Sequence, residues 1–501
     1  MVISEPKISR LFAYLSGINK NAYQNEYLLA NDVLAKTPPI VGMLDSYFFE
    51  RDAKKATFLF VLKRLFIFYL KNLSWIFFQF VKKIIFLISG QKFSVEKLDE
   101  KIVFIDTYFL GEKIVKDNQC RDLYMPGLTD VLDGHNLEYV YVPKIASARS
   151  WMVFLKMLWV LKRDKIPVLT EYQLLGATDF LRLLKFVIFY PFLVFRLIRS
   201  LGNKVEDQLA KFALYSFSGL SSETYFRLIY GEKLSRLMNS KIKCISWYEN
   251  QALDKCFYRG LRKCSGEVLI YGAQLFLWPP GHLNLHADEQ EIKFEIVPDK
   301  VLVNGNYYME KESRVNFHLG PALRYGRIFQ LQMAPSSKED ILVLLPYWEY
   351  EISNILDCIK DLPCKGIIKM KFHPSTNISK FSKLMNENVH IVHGDLYSQF
   401  EQVRMVIGAA TGALVEAASL GIPVINVVNK TQFSHIYLPD FGRGVLWDSA
   451  STNDELLSLQ KKFDFLLENE EEKLAESALK MKELFFCEPT EGKIVEAFDL
   501  V

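Results

Sequence analysis

The sequence predicts an α/β protein built from two parallel sheets, each covered by helices, in two Rossmann-like halves that face a cleft. Three observations carry that expectation. Short apolar runs alternate with helical stretches along most of the chain. The runs are bounded by polar turns and are mostly hydrophobic from end to end, as strands buried on both faces are. The chain has 501 residues, half of them hydrophobic, too many for one core and ample for two.

The first series of runs is KIVFID, LEYVYVP, IPVLTEY, KCISWYEN, EVLIYGAQ and DKVLVNG, ending at Asp106, Pro143, Tyr172, Asn250, Gln274 and Gly305. A connector, FHLGPALRYGRIFQLQMAPSSKED, follows. A clearer series then begins at Ile341: ILVLLPY, GIIKMKFHP, VHIVHGD, VRMVIGAAT, IPVINVVN and GVLWD. The expected layout is an N-terminal segment over 1–100, an N-terminal domain over 101–325, a C-terminal domain over 326–467 and a charged helical tail over 468–501.

Two stretches combine aromatic and basic residues. Between Ala53 and Val95 there are eight lysines and arginines and no acid, and the longest uncharged run is ten residues. A bilayer crossing needs about 20 apolar residues, so an amphipathic helix or helical pair with a basic edge is expected instead. FLRLLKFVIFYPFLVFRLIRSLGNK also lacks acids, and Pro191 is expected to kink or divide it. An anionic membrane surface is the partner such helices imply. The alternative is a pair of buried helices whose charges mark their exposed faces.

A formal net charge of +3 gives no reason to expect nucleic acid. Seven scattered cysteines, no C-x-x-C pair and no basic-then-apolar leader suggest reduced thiols in a cytoplasmic protein. His282 and His286 follow Pro279-Pro280-Gly281 and are expected in a loop. His390 and His393 fall on opposite faces of a strand. Neither pair is expected to hold a metal, and no cofactor is expected.

Ligands of open parallel sheets bind beyond the carboxyl ends of the strands, so the residues there are the candidates. In KMKFHPSTNISKF, His373 ends a strand and Pro374 fixes the backbone that aims it, while Lys369 and Lys371 share one face. VRMVIGAATGALVEAASLGIPVINV reads strand, small-residue turn, helix and strand. Gly408 to Gly412 admit a ligand to the backbone, the helix start offers N–H groups, Thr411 adds a hydroxyl and Glu416 lies one turn on. The alternative has Thr411 capping the helix and Glu416 in solvent.

His373-Pro374, the Thr411-Gly412 turn and ALVEAASLGIPVI together resemble the C-terminal half of bacterial surface-polysaccharide glycosyltransferases of the GT-B fold. These include capsule Kdo transferases and sialyl- and polysialyltransferases. The resemblance covers residues 340 to 430 and extends more weakly back to about 240. It implies a CMP-activated acidic sugar as donor, with His373 on the phosphate, Thr411 on the phosphate or sugar carboxylate and Glu416 on the ribose. Where those families carry a serine or threonine pair, this chain has Ala410-Thr411.

No two aspartates stand two residues apart, so the Asp-x-Asp pair of many Mg²⁺-dependent transferases is absent from the sequence. Metal-independent transfer is expected, with His373, Lys371 and Arg324 meeting the leaving phosphate; Arg324 could equally serve a hinge salt bridge. The catalytic carboxylate is expected from the first domain. Glu249, a strand-end acid among aromatics, ranks first, Glu171 second and Asp106 third; each could instead cap a helix. Base and nucleophile are not distinguished.

The expected function is transfer of Kdo or another nonulosonic acid from CMP to a lipid-linked surface glycan, capsule or O-antigen, at the inner face of a bacterial plasma membrane. The alternatives are a CDP-polyol phosphotransferase and a non-catalytic, membrane-bound subunit of glycan assembly.

Overall fold

A computed structural model describes residues 6–36, 56–90, 102–217, 219–238, 242–264, 268–279, 282–310, 315–360, 362–384 and 389–500. The ends of the first basic stretch, 53–55 and 91–95, lie outside the described residues, as do Pro280 and Gly281.

The first domain holds β1 (Val103–Asp106), β2 (Tyr108–Leu110), β3 (Tyr139–Tyr141), β4 (Lys144–Ala146), β5 (Ile242–Trp247), β6 (Val268–Ala273), β7 (Lys300–Val303) and β8 (Phe317–Leu319). Six of these form one sheet in the order β3-β1-β5-β6-β7-β8, and β2 and β4 form a separate pair. The second domain holds β9 (Asp340–Leu345), β10 (Ile368–Phe372), β11 (Val389–Ile391), β12 (Val403–Gly408), β13 (Val424–Val427) and β14 (Trp447–Ala450). Its order, β11-β10-β9-β12-β13-β14, is that of a dinucleotide-binding doubly wound sheet. Every pairing in both sheets is parallel. Two Rossmann-like sheets make the architecture GT-B-like.

Strands β5, β9, β12 and β13 are buried almost throughout, which is why they read as continuous apolar runs. IPVLTEY departs from its expected strand. Val168 makes an isolated bridge to Tyr141, and the chain then turns into the helix Glu171–Leu174. The Gln173 side chain accepts from the Thr170 N–H at 2.8 Å, a capping contact that ends the extended run.

Pro191 does not divide its segment: one helix runs from Ala177 to Ser200. Phe186, Val187, Tyr190 and Val194 are buried on either side of the proline, so core packing holds the helix through it. The N-terminal segment is built into the first domain. Buried Lys36 pairs with Asp288 at 2.9 Å and Glu291 at 2.7 Å. The tail expected from 468 starts inside the helix Asn453–Asn469. Glu471–Phe485 packs on the second domain and, through Phe485 stacked on Tyr307, on the first; Glu491–Ala497 continues along the first, where the Tyr271 hydroxyl donates to Asp499 at 2.8 Å.

Behind the first sheet the helices Ser221–Ser235 and Ala252–Leu261 cross through Gly231 and Gly260. A Cβ at Gly260 would lie 2.3 Å from the Leu228 carbonyl oxygen. Gly260→Ala therefore forces two backbones apart and is expected to cost about 2 kcal/mol or more in urea unfolding. Gly134→Ala, where a Cβ meets nothing within 4 Å, is expected to be neutral or mildly stabilising.

Candidate functional site

In the first sheet the strand order reverses between β1 and β5, and the crevice opens past their carboxyl ends. Glu249 lies two residues beyond β5. Asn250, directly after it, adopts left-handed φ of 51°, and its side chain donates to the Asn284 carbonyl at 2.7 Å. Asn284 in turn donates to the Glu249 carbonyl at 2.6 Å, so the loop is tied from both sides.

The Glu249 carboxylate accepts from the Gln251 amide and keeps some access to the cleft. Burial, with Asp254 beside it, pushes its pKa up to about 8, against a smaller lowering by Arg324. Asp254 is held by the Trp247 indole at 2.7 Å and the Gln251 N–H at 3.0 Å, and burial raises its pKa to about 6. Two carboxylates out of bulk water cannot both ionise cheaply, and Glu249, with fewer N–H donors, is the one that holds its proton longer.

The second sheet reverses between β9 and β12, with Tyr347 past one strand and the turn 409–412 past the other. His373 ends β10. The Ser375 N–H donates to its Nδ1 at 3.3 Å, and the Ser375 hydroxyl lies 2.7 Å from the same nitrogen. Nδ1 is thus an acceptor, which places the ring proton on Nε2, the opposite side of the imidazole. The ring stands edge-on to Tyr347, 5.8 Å between centroids, and partial desolvation lowers its pKa, so it donates as a neutral group.

Pro374 follows at the surface. Lys371 donates to the Gly394 carbonyl at 2.6 Å, while Lys369, on the same face, is engaged at the strand's other end by Asp340 at 2.8 Å. The turn before the helix Ala413–Ser419 is tight. A Cβ at Gly408 would lie 2.9 Å from the Leu344 carbonyl oxygen, and Ala410 takes a left-handed φ of 47°. That conformation costs an alanine about 1 kcal/mol. Thr411 Oγ1 accepts a long bond, 3.4 Å, from the Ala413 N–H, as a cap does, and keeps its own proton to donate. Glu416 is not a solvated residue: it is desolvated and accepts from the Tyr397 hydroxyl at 2.7 Å.

Arg324 connects the two halves. Its side chain is exposed, donates to the Leu275 carbonyl at 3.2 Å and lies 5.6 Å from the centre of the Tyr124 ring. Its charge lowers the pKa of both Glu249 and Glu416, so one guanidinium faces a carboxylate from each domain. The domains meet closely here. A Cβ on Gly412 would lie 3.0 Å from that of Leu277, in the loop after β6, and the charge of Glu249 is felt by Tyr437 of the second domain.

Asp106 and Glu171 belong to a different, closed cluster. Asp106 pairs with Arg227 at 2.5 Å and accepts from the Ser246 hydroxyl at 2.8 Å, all buried. Glu171 is buried at the start of its helix, near Lys144, Arg227 and Lys82. His282 and His286 do not converge: His282 stacks edge-on against His435, and His286 bonds Glu310 at 2.5 Å.

No family model matches the chain, and no curated protein matches it in sequence. Solved structures match at low identity. S. aureus MnaA, in its UDP co-structure, is 10% identical over 80% of this chain and 98% of that one, with a TM-score of 0.44. The glycosyltransferase SnogD from Streptomyces nogalater is 13% identical over 79% and 99%, with a TM-score of 0.40. The wall teichoic acid polymerase TagF is 10% identical over 87% and 96%, with a TM-score of 0.36.

Sequence reasoning did not single out Asp254, Gln251, Ser375, Tyr397 or Tyr437. Gln251 and Asp254 carry a readable signal, the N-cap and third-residue spacing of a capping box. Tyr397 and Tyr437 carry none, because they reach the site only through tertiary packing.

The electrostatics predict opposite shifts in two variants. Arg324→Gln removes a lowering influence and is expected to raise the Glu249 pKa above about 8. Asp254→Asn removes a raising one and is expected to lower it. Titration of the ¹³C-labelled glutamate carboxyl by NMR reads both directions.

Proposed function

We propose that the protein is a nucleotide-sugar glycosyltransferase in which Glu249 is the general base and His373, Lys371 and Arg324 receive the charge of the departing nucleotide. The observation that carries this reading is that Arg324 acts on a proton-seeking carboxylate of the first domain, Glu249, and on Glu416 just past the 409–412 turn of the second, while His373 ends β10 of that same second sheet.

An acceptor hydroxyl gives its proton to Glu249 as its oxygen attacks the anomeric carbon. The bond from that carbon to the phosphate oxygen breaks, and the nucleotide leaves with the electron pair. A pKa of about 8 makes Glu249 a strong proton acceptor once ionised, which suits a base better than a nucleophile that must stay charged at neutral pH. His373 donates through Nε2–H, and the Thr411 hydroxyl adds a second donor. Lys371 and Arg324 supply positive charge beside it.

The donor in this reading is a CMP-activated acidic sugar, Kdo or another nonulosonate, and the acceptor is a lipid-linked bacterial surface glycan. The His373-Pro374 and Thr411-Gly412 motifs support the donor class. The exposed guanidinium of Arg324 supports it independently, because its fork suits the extra carboxylate such a sugar carries.

Purified protein incubated with CMP-Kdo, CMP-sialic acid, UDP-sugars and CDP-glycerol is expected to turn over a CMP-sugar. Turnover of CDP-glycerol alone would instead make it a phosphotransferase. Glu249→Gln is expected to lose about 10²- to 10⁴-fold in kcat while binding CMP normally. His373→Ala is expected to weaken CMP binding measured by calorimetry. If Glu249→Gln retains full transfer, the base is another residue; if no donor turns over while CMP still binds, the non-catalytic reading prevails.

A further inference from the structure

The helix Phe58–Ile88 is built inside out. Its inward stripe is Phe68, Asn72, Ile76, Gln79, Lys82 and Phe86, half of it polar. The Asn72 side-chain carbonyl accepts from the Ser222 N–H at 2.9 Å, Gln79 accepts from the Tyr172 hydroxyl at 2.5 Å, and Lys83 donates to the Tyr172 carbonyl at 2.6 Å. The outward face is the apolar one. Phe66 and Phe77 are 67% and 69% exposed, with Leu59, Leu70, Ile84 and Leu87 along the same stripe. Water gives no reason for that arrangement.

Two neighbouring helices extend the face. The helix Trp151–Arg163 exposes Trp151 and Trp159, and the helix Ala177–Ser200 exposes Leu181, Ile188 and Phe192; both pack against the Phe58 helix. The three helices carry twelve lysines and arginines, and their one acid, Asp179, is buried. Lys63, Arg64 and Lys71 are exposed along one edge of the apolar stripe. Among the described residues no helix is long and apolar enough to cross a membrane.

We infer that this three-helix face docks in the plane of a membrane leaflet rich in anionic phospholipid. Phe66, Phe77, Trp159 and Phe192 enter the acyl boundary, and the exposed lysines and arginines meet the phosphates. The charge selects the occupant: a neutral apolar partner would leave the basic edge unanswered, and a second copy of this chain would oppose like charges. The inference deepens the proposed function by holding the cleft near lipid-linked acceptors, but vesicle binding needs no nucleotide, so the two readings fail separately.

The test is flotation of the full chain with phosphatidylcholine vesicles, with and without phosphatidylglycerol, at about 0.1 M and about 1 M salt. Binding to the anionic vesicles is expected, with part of it persisting at high salt. Tryptophan emission should shift to the blue and be quenched by lipids brominated in the acyl chain. Phe66→Gln/Phe77→Gln is expected to weaken binding about tenfold or more at an unchanged thermal midpoint. Lys63→Gln/Lys71→Gln should instead remove the preference for phosphatidylglycerol. The inference is overturned if the wild type stays unbound with anionic vesicles at low salt. It is also overturned if light scattering finds a dimer that Phe66→Gln/Phe77→Gln converts to monomer, since a second copy then covers the face.

Discussion

A carboxylate at the end of a parallel strand, out of bulk water and beside a second carboxylate, is the constraint around which the first domain is arranged. Glu249 holds its proton because burial penalises its charge and because Asp254, close beside it, has claimed the Trp247 indole and the Gln251 backbone N–H. Arg324 relieves that penalty only in part. Ordered loops keep the arrangement from relaxing. Asn250 sits in a left-handed conformation fixed by its bonds to Asn284 and Glu291, so the loop cannot swing the carboxylate into solvent without breaking buried hydrogen bonds.

The second domain supplies the complement. Its strand order places two loops and the end of β10 around one crevice, and the left-handed Ala410 presents Thr411 at its edge. Left-handed non-glycine residues, Asn250 and Ala410, stand directly beside both Glu249 and Thr411, a conformational cost borne at the proposed site in each half. The helix Glu491–Ala497 runs along the first domain, and Gly412 closes on Leu277, so the two crevices confront each other rather than standing apart.

Much of this was legible in the sequence. Parallel strands buried on both faces write themselves as apolar runs, and residues past their ends, His373 and Glu249 among them, follow from chain polarity alone. IPVLTEY misled because its residues suit a strand while Thr170 and Gln173 cap a helix, and local capping prevailed. Pro191 misled because packing on both sides outweighed one lost backbone bond. Asp106 and Glu171 share the strand-end context of Glu249, but the sequence does not say that Arg227, some hundred and twenty residues after Asp106, is buried against one and near the other. The inverted face of the Phe58 helix was half legible: its basic, acid-free composition was evident, but which stripe turned inward depended on Ser222 and Tyr172.

The central claim is that Glu249 is the proton acceptor and Arg324 its electrostatic partner. The pH dependence of kcat/KM for the turned-over donor tests it most directly. The rate is expected to rise with pH through about 8 in the wild type, with the rising limb displaced to higher pH in Arg324→Gln. A limb that begins near the ordinary glutamate pKa, or one that Arg324→Gln leaves in place, would contradict it.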